Sequence, residues 1–279
     1  MKLPCDIDLS NDSMKPGAYQ MKKEKICIIG CGWLGKPLAH HMIKANYPVI
    51  ATTAHDKSLE FKANAIPYIS FDLERERFLP NEIQLADVLI YAVPPLELSI
   101  VKSFFDKVSR DKKIIFTSST SVYGKNLGHV DENHKLDLSN CNSQLLVETE
   151  AYLLGRFKNL TIIRPGGLYG EKRHPVFFLQ GKSNLKTGQE LLHLVHRDDC
   201  INAIMAIINK SLWGEIFNLI SDERMEKKDY YTLMASKLNL IPPKYDNDIS
   251  ISMPTNISNE KSKIKLQIRY LDPNLLYLS

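Results

Sequence analysis

The sequence predicts an α/β protein built on a doubly wound parallel sheet with a small C-terminal lobe, and three observations carry that prediction. Short runs rich in Ile, Val and Phe alternate with longer stretches of helical periodicity, the pattern of strands buried on both faces by crossover helices. The first of these runs leads straight into Gly30-Cys-Gly32-Trp-Leu-Gly35. A composition of 44% hydrophobic and 24% charged residues over 279 positions supplies a large core and excludes wholesale disorder.

Taken in order, the candidate strands are residues 25–29, 49–53, 67–71, 88–92, 114–117 and 160–164. Between the first two, Leu34, Leu38, Ala39, Met42 and Ile43 recur at helical spacing and the run ends near Asn46, which makes a βαβ unit. After Arg164 the texture changes to a Pro-Gly-Gly-Leu-Tyr-Gly turn and a polar stretch, 171–188, read as loop with one short helix. A helix over 198–209 returns to the sheet, a strand over 215–219 follows, and 228–238 is a further helix before a polar tail. The expected organisation is a flexible extension over 1–24, a nucleotide-binding domain over 25–165 rejoined by 194–220, and a substrate-side lobe from 166–193 and 221–279.

The formal charge of +4 is dispersed along the chain, without the arginine-rich or aromatic-basic blocks that track a phosphate backbone, so nucleic acid is not an expected partner. Five cysteines, Cys5, Cys27, Cys31, Cys141 and Cys200, form no C-x-x-C pair, which indicates neither a disulfide framework nor a zinc site. No apolar run reaches membrane-spanning length and residues 1–24 lack a secretory core, so a cytoplasmic protein without a membrane partner is expected.

An apolar strand running into G-x-G-x-x-G and then a helix is the context in which that motif is informative. Gly30 permits the tight turn, Gly32 lets the backbone approach a pyrophosphate, and Gly35 lets the helix pack on the strand. The amides of Trp33 and Leu34 belong to the same turn, and the helix start presents free N–H groups to an anion. A Rossmann-type site for NADP or NAD follows. At the tip of the second strand, Thr52 and Thr53 stand where a carboxylate would hold a ribose 2′-hydroxyl, with His55 and Lys57 close behind, and this tilts the choice toward NADP.

With those residues in view, the chain resembles the extended short-chain dehydrogenase/reductase superfamily, the epimerases, dehydratases and reductases of nucleotide sugars, over about residues 25–220. Asp72-Leu73 is similar to that family's adenine-contacting pair, and Ala92-Val93-Pro94 falls where its fourth strand ends beside the cofactor. Thr117-Ser118-Ser119 with Val-Tyr123-Gly124 matches the end of its fifth strand, Arg164-Pro165 with Tyr169-Gly170 the turn after its sixth, and His196-Arg-Asp198-Asp199 its V-H-V-D-D element. More narrowly, the Gly-Cys-Gly-Trp-Leu-Gly turn and Tyr169-Gly-Glu-Lys-Arg173-His174-Pro175 resemble the YeeZ-like branch of atypical members. Typical members carry G-x-x-G-x-x-G, whereas here Ile29 stands at the first of those places.

The resemblance implies hydride transfer assisted by a Y-x-x-x-K pair, since a phenol with a pKa near 10 needs a cation to ionise at neutral pH. It places Asn142 at the tyrosine and Leu146 at the lysine, and neither does that work. Ser119, at the family's catalytic Ser/Thr place, either contacts the reacting oxygen or only caps a strand. Tyr123 is either a proton donor or packed in the V-Y-G turn. Arg164 either orients the loop over the cofactor or makes an internal ion pair. Tyr169, Arg173 and His174 are candidate substrate contacts, the last two facing an anionic group or forming a surface loop.

The expected function is therefore an NAD(P)-binding oxidoreductase or epimerase/dehydratase-like enzyme acting on a small polar, sugar-derived carbonyl or hydroxyl compound. A cofactor-binding sensor or scaffold that lost its chemistry is the alternative. A subunit with no ligand is disfavoured, because three glycines at this turn carry an entropic cost. The resemblance also implies a homodimer.

Overall fold

In a computed structural model the described residues are 23–54, 61, 65–246 and 252–275. The leading strand β1 (Ile26–Ile29) is buried at every position, as a strand covered on both faces must be. Helix α1 (Gly35–Lys44) turns its Leu38, Ala39 and Met42 inward and delivers the chain through Asn46, at φ +61°, to β2 (Val49–Thr53). Next come β3 (Tyr68–Ser70), the single turn α2 (Asn81–Gln84) and β4 (Val88–Tyr91). Helix α3 (Leu98–Phe105) then leads to β5 (Lys113–Thr117).

A short pair of residues, β6 (His129–Val130), precedes helix α4 (Gln144–Arg156) and strand β7 (Leu160–Pro165). After β8 (Gly167–Tyr169), the one-turn α5 (Val176–Leu179) and β9 (Leu194–His196), helix α6 (Arg197–Asn209) returns to the sheet. Strand β10 (Ile216–Leu219), helix α7 (Lys227–Lys237), β11 (Asn256–Ile257) and α8 (Glu260–Leu266) complete the order.

Seven strands form one sheet in the order β3-β2-β1-β4-β5-β7-β10, and every pairing in it is parallel. This is a Rossmann-like doubly wound arrangement. The order reverses between β1 and β4, so a crevice opens beyond the carboxyl ends of those two strands, where ligands of such sheets bind. One face of the sheet is covered by α1 and α6 through Leu38, Met42, Ile201 and Ile204. Helices α3 and α4 cover the other through Phe104, Phe105, Leu146 and Leu153. A third, smaller apolar cluster gathers Tyr169, Val176, Leu192, Tyr230 and Met234.

The strands expected at 49–53 and 160–164 appear within a residue of those limits, and the others differ by one or two residues, the usual uncertainty of strand ends. Short β6, β8, β9 and β11 pair off the main sheet and are not expected from the sequence, nor is α8 in what reads as a polar tail. Among the described residues, no helix is long and apolar enough to cross a membrane. Residues 1–22 of the expected extension over 1–24, and the residues His55, Asp56 and Lys57, lie outside the described part.

Gly35 shows why the first turn demands glycine. A Cβ there would stand 2.4 Å from the Gly30 carbonyl oxygen, and backbone cannot give way as a side chain does. Gly35→Ala should cost about 1–3 kcal/mol, read as a lower denaturant midpoint at unchanged slope; an unchanged midpoint would contradict this account of the turn.

Candidate functional site

The turn after β1 is fixed by its neighbours. Gly30 sits at φ +90°, and a Cβ on it would meet Val93 Cγ2 at 2.7 Å and the Ala92 carbonyl oxygen at 2.9 Å. Its N–H donates to Thr52 Oγ1 at 3.2 Å, and Cys31 N–H donates to the Thr52 carbonyl at 2.9 Å. Thr52 is thus a buried prop of the turn, and its hydroxyl is not aimed outward at a ribose phosphate. Gly32 differs: it is exposed, and nothing lies within 4 Å of where its Cβ would be. Leu34 starts α1 with no side-chain cap, and although Lys36 N–H donates to the Gly32 carbonyl at 3.0 Å, the amides before it in the turn point to an anion at the helix end.

Beside this turn lies a crevice of about 180 Å³ whose wall includes Gly30, Thr52, Asp72, Leu73 and Val93, residues that the sequence motifs also group. Asp72 Oδ1 accepts from Glu74 N–H at 2.9 Å, and Arg75 Nε stands 3.4 Å from Oδ2. Pro94 is exposed where β4 ends. Trp33 does not line the crevice. Its indole is instead flanked by the guanidinium groups of Arg173 at 4.8 Å and Arg197 at 5.0 Å. Arg173 therefore belongs to the glycine turn's outer side, and Arg197 is further tied to Glu171 at 2.8 Å.

At the end of β5, Thr117 Oγ1 and Ser118 Oγ are buried with no hydrogen-bond partner among the described residues. Ser119 Oγ accepts from Ser121 N–H at 3.1 Å, so it does cap the turn at 120–122, yet its own proton is free to donate. Ser119 also lines a second cavity, of about 290 Å³, together with Asn142, Lys125, Glu190, Lys227 and Tyr231.

Several expected contacts are structural instead. Arg164 and Glu150 form a buried bidentate ion pair, Nε to Oε1 at 3.1 Å and Nη2 to Oε2 at 2.6 Å. The Tyr123 hydroxyl accepts from Arg164 Nη1 at 2.8 Å and faces Asn218 Oδ1 at 2.9 Å and the Asp131 carbonyl at 3.0 Å. Burial raises its pKa despite the neighbouring guanidinium, so Tyr123 is packed and not a proton donor to the cavity. Pro165, next to Arg164, is the last residue of β7 and is buried. Tyr169 is fully buried in the third cluster. His174 is fully buried too: its Nδ1 accepts from Val176 N–H at 3.2 Å and Nε2 meets the Tyr230 hydroxyl at 3.0 Å, so it reaches no substrate. His196 caps α6 by accepting from Asp198 N–H.

No family model matches the chain. It is 28% identical to Protein YeeZ of Escherichia coli over 273 residues, 91% of this chain and 99% of that one. It is also 23% identical to sterol-4-alpha-carboxylate 3-dehydrogenase, decarboxylating, of Dictyostelium discoideum over 259 residues, 77% of this chain and 78% of that one. Among solved structures, the UDP-glucuronic acid 4-epimerase of Bacillus cereus in complex with UDP-glucuronic acid and NAD superposes with a TM-score of 0.73 at 18% identity, covering 90% of this chain and 95% of that one.

The chain is thus similar to Protein YeeZ over most of its length and shares its Rossmann-like fold with a nucleotide-sugar epimerase, in line with the resemblance to the extended short-chain dehydrogenase/reductase superfamily. Where the resemblance to that superfamily puts a tyrosine, Asn142 is tied to the turn after β5, Nδ2 donating to the Tyr123 carbonyl at 3.1 Å. Where it puts a lysine, Leu146 is 4% exposed and packed in the core. The cavity residues Lys125, Glu190, His193, Lys227 and Tyr231 are not singled out by the sequence. Only Lys227 and Tyr231, four apart on α7 and so on one helix face, leave a local signal.

Breaking the buried pair by Glu150→Gln leaves Arg164 with an uncompensated charge and should cost about 3–5 kcal/mol in a denaturant melt; a cost below about 1 kcal/mol would show that the charge is not needed. The fold should also weaken in mild acid. Burial holds His174 down to about 4; burial, then Arg224 and Lys227, hold His193 down to about 3. The unfolded chain therefore takes up more protons between pH 4 and 6.5, and stability is lost as the pH falls through that window. Asp199 opposes this, because burial raises it to about 6: its contribution is present below the unfolded value of 3.8 and fades as the pH rises through 6. Two imidazoles outweigh one carboxyl, so the melting temperature should drop from pH 6.5 to 4, and His174→Gln should make the slope shallower.

Proposed function

We propose that the chain is an NAD(P)-dependent oxidoreductase or epimerase/dehydratase-like enzyme acting on a hydroxyl or carbonyl of a small polar, sugar-derived compound, without the usual tyrosine-lysine pair. The observation that carries this reading is the alignment of one open glycine turn, one crevice and one polar cavity along the carboxyl edge of a single sheet. The unfilled space at Gly32 and the unpartnered hydroxyls of Thr117 and Ser118 fit a diphosphate-bearing group lying along that edge. A nicotinamide nucleotide supplies or accepts hydride when bound there.

In this reading the amides of Gly32, Trp33, Leu34 and Gly35 hold the diphosphate, and Asp72 and Leu73 take the adenine end. Ala92, Val93, Pro94 and Pro165 shape the apolar side of the ring, and Ser119 donates its proton to the reacting oxygen. Arg164 acts only by holding the turn that carries Ser119. The sheet domain binds cofactor and the elements of 166–193 and 221–275 wall the substrate. The solved relative named above holds NAD, which supports a nicotinamide cofactor. The case for NADP narrows to the lack of a carboxylate over Thr52, Thr53 and Ala54, since Thr52 serves the turn. A cytoplasmic homodimer pairing through α3 and α4 completes the proposal.

A second reading, a silent cofactor-binding sensor, is favoured by one specific observation: Asn142 and Leu146 are both committed to structure. Thermal titration with NAD, NADH, NADP and NADPH, followed by NADPH oxidation over a carbonyl panel, decides between them. One or more nucleotides should raise the melting temperature, by about 2.7 kcal/mol of stabilisation at a hundredfold excess over Kd. Gly32→Ala should leave the free protein as stable as before, because its Cβ meets nothing, while weakening that nucleotide at least about tenfold by crowding the diphosphate. No shift with any of the four would overturn the proposal, and a shift without turnover would leave the sensor.

A further inference from the structure

The cavity beside Ser119 has a size and a charge that restrict what it takes. At about 290 Å³ it lies at the bottom of the range of small-molecule sites, about 300–1,000 Å³. That is room for a molecule of hexose size, and a nucleoside diphosphate with its sugar exceeds it. Of the side chains lining it, Glu190 is the one carboxylate, while Lys125 and Lys227 each contribute an ammonium. Both cations converge on that carboxylate, Lys227 Nζ at 2.6 Å from Oε2 and Lys125 Nζ at 3.3 Å from Oε1. One negative charge cannot neutralise two positive ones, and the three side chains are only 20–44% exposed, so water screens the surplus incompletely.

The surroundings agree. His193 lines the same cavity, and its Nε2 accepts from Ile257 N–H at 3.4 Å. After burial, the positive fields of Arg224 and Lys227 keep that imidazole neutral. Arg224 itself bonds to the carbonyl oxygens of Ser221, Glu223 and Ile257 and to Asn256 Oδ1, and the carboxylates of Asp222, Glu223 and Glu260 offset its charge, so the cavity's positive surplus rests on the two lysines. The first amides of α7 are already taken, Lys227 N–H by the Glu190 carbonyl and Lys228 N–H by that of Gly188. Anion recognition therefore falls to the lysine ammonium groups and not to the helix end. Tyr231, one turn beyond Lys227, adds a phenol that burial keeps protonated, a donor suited to a substrate hydroxyl.

We propose that this cavity binds a small organic anion, one carboxylate or phosphate monoester on a molecule no larger than a hexose, with Lys227 and Lys125 receiving the charged group. The proposal rests on the enzymatic reading of the same site, whose reacting oxygen would lie at Ser119.

Calorimetric titration of the full chain with D-glucuronate, D-glucose 6-phosphate, D-glucose and UDP-glucose, with and without NADPH, tests it. At least one of the two small anions should bind at least tenfold more tightly than glucose at low salt and weaken as salt is added; which of them binds separates carboxylate from phosphate. Lys227→Met should weaken that anion at least tenfold, whereas Glu190→Gln, which removes the competing carboxylate, should tighten it several-fold. Opposite effects of the two variants exclude a merely structural role. Equal binding of glucose, binding of neither small anion, a tenfold preference for UDP-glucose, or two variants that move affinity the same way would each overturn the inference. The nucleotide-induced melting shift is read separately, so failure of all four nicotinamide nucleotides to bind sinks the proposed function, and intact nucleotide binding without anion preference sinks only this inference.

Discussion

The buried pair of Arg164 and Glu150 is the constraint on which the rest of the site depends. Two charges taken out of water are tolerated only where geometry is good and every remaining donor is used, and here the guanidinium meets the carboxylate with two nitrogens and passes a third to the Tyr123 hydroxyl. That hydroxyl meets Asn218 Oδ1, and the Asn218 N–H is held in turn by Glu132 Oε1 at 2.7 Å. Through this chain of bonds helix α4, strands β7 and β10 and the turn after β5 are locked into one piece. Ser119 opens the turn at 120–122 and Tyr123 closes it, so the polar network under the sheet edge fixes where the Ser119 wall of the cavity lies.

The large elements were legible because their physics is local. A strand buried on both faces must be apolar throughout, and Ile26–Ile29 and Val88–Tyr91 are. A helix packed on one side must repeat, and Leu38, Ala39 and Met42 do. Gly30 and Gly35 were legible for a different reason: a positive φ at the first and a close backbone approach at both leave no alternative residue. The same logic fails for β8 and β9, three residues each, which are strands only because they meet one another.

The site was legible where it is backbone and opaque where it is charge. Gly30, Asp72, Leu73 and Val93 come together as expected, because strand ends in a doubly wound sheet have no freedom about where they arrive. Lys125, Glu190 and Lys227 come from three distant segments, and nothing in any of them announces the others. His174 shows the converse error. In a stretch reading Glu-Lys-Arg-His-Pro, polarity suggested a surface, yet the ring packs against Tyr169 and Tyr230. Burial of one histidine among charged neighbours is decided by tertiary partners that the local sequence does not contain.

At the places where the resemblance puts a tyrosine and a lysine, Asn142 and Leu146 are built into the packing. Leu146 shares a core cluster with Phe105, Phe116 and Leu153; a lysine there would have to bury its ammonium without a partner, which costs far more than one turn of helix can offset. Asn142 is held to the Tyr123 carbonyl, so the start of α4 is anchored to the very turn that carries Ser119. Under the proposed enzymatic reading, a cation near the reacting oxygen comes from the opposite wall, where α7 places Lys227 one turn from Tyr231. In this chain the start of α4 supports the scaffold, and α7, on the other side of the cavity, carries the charge.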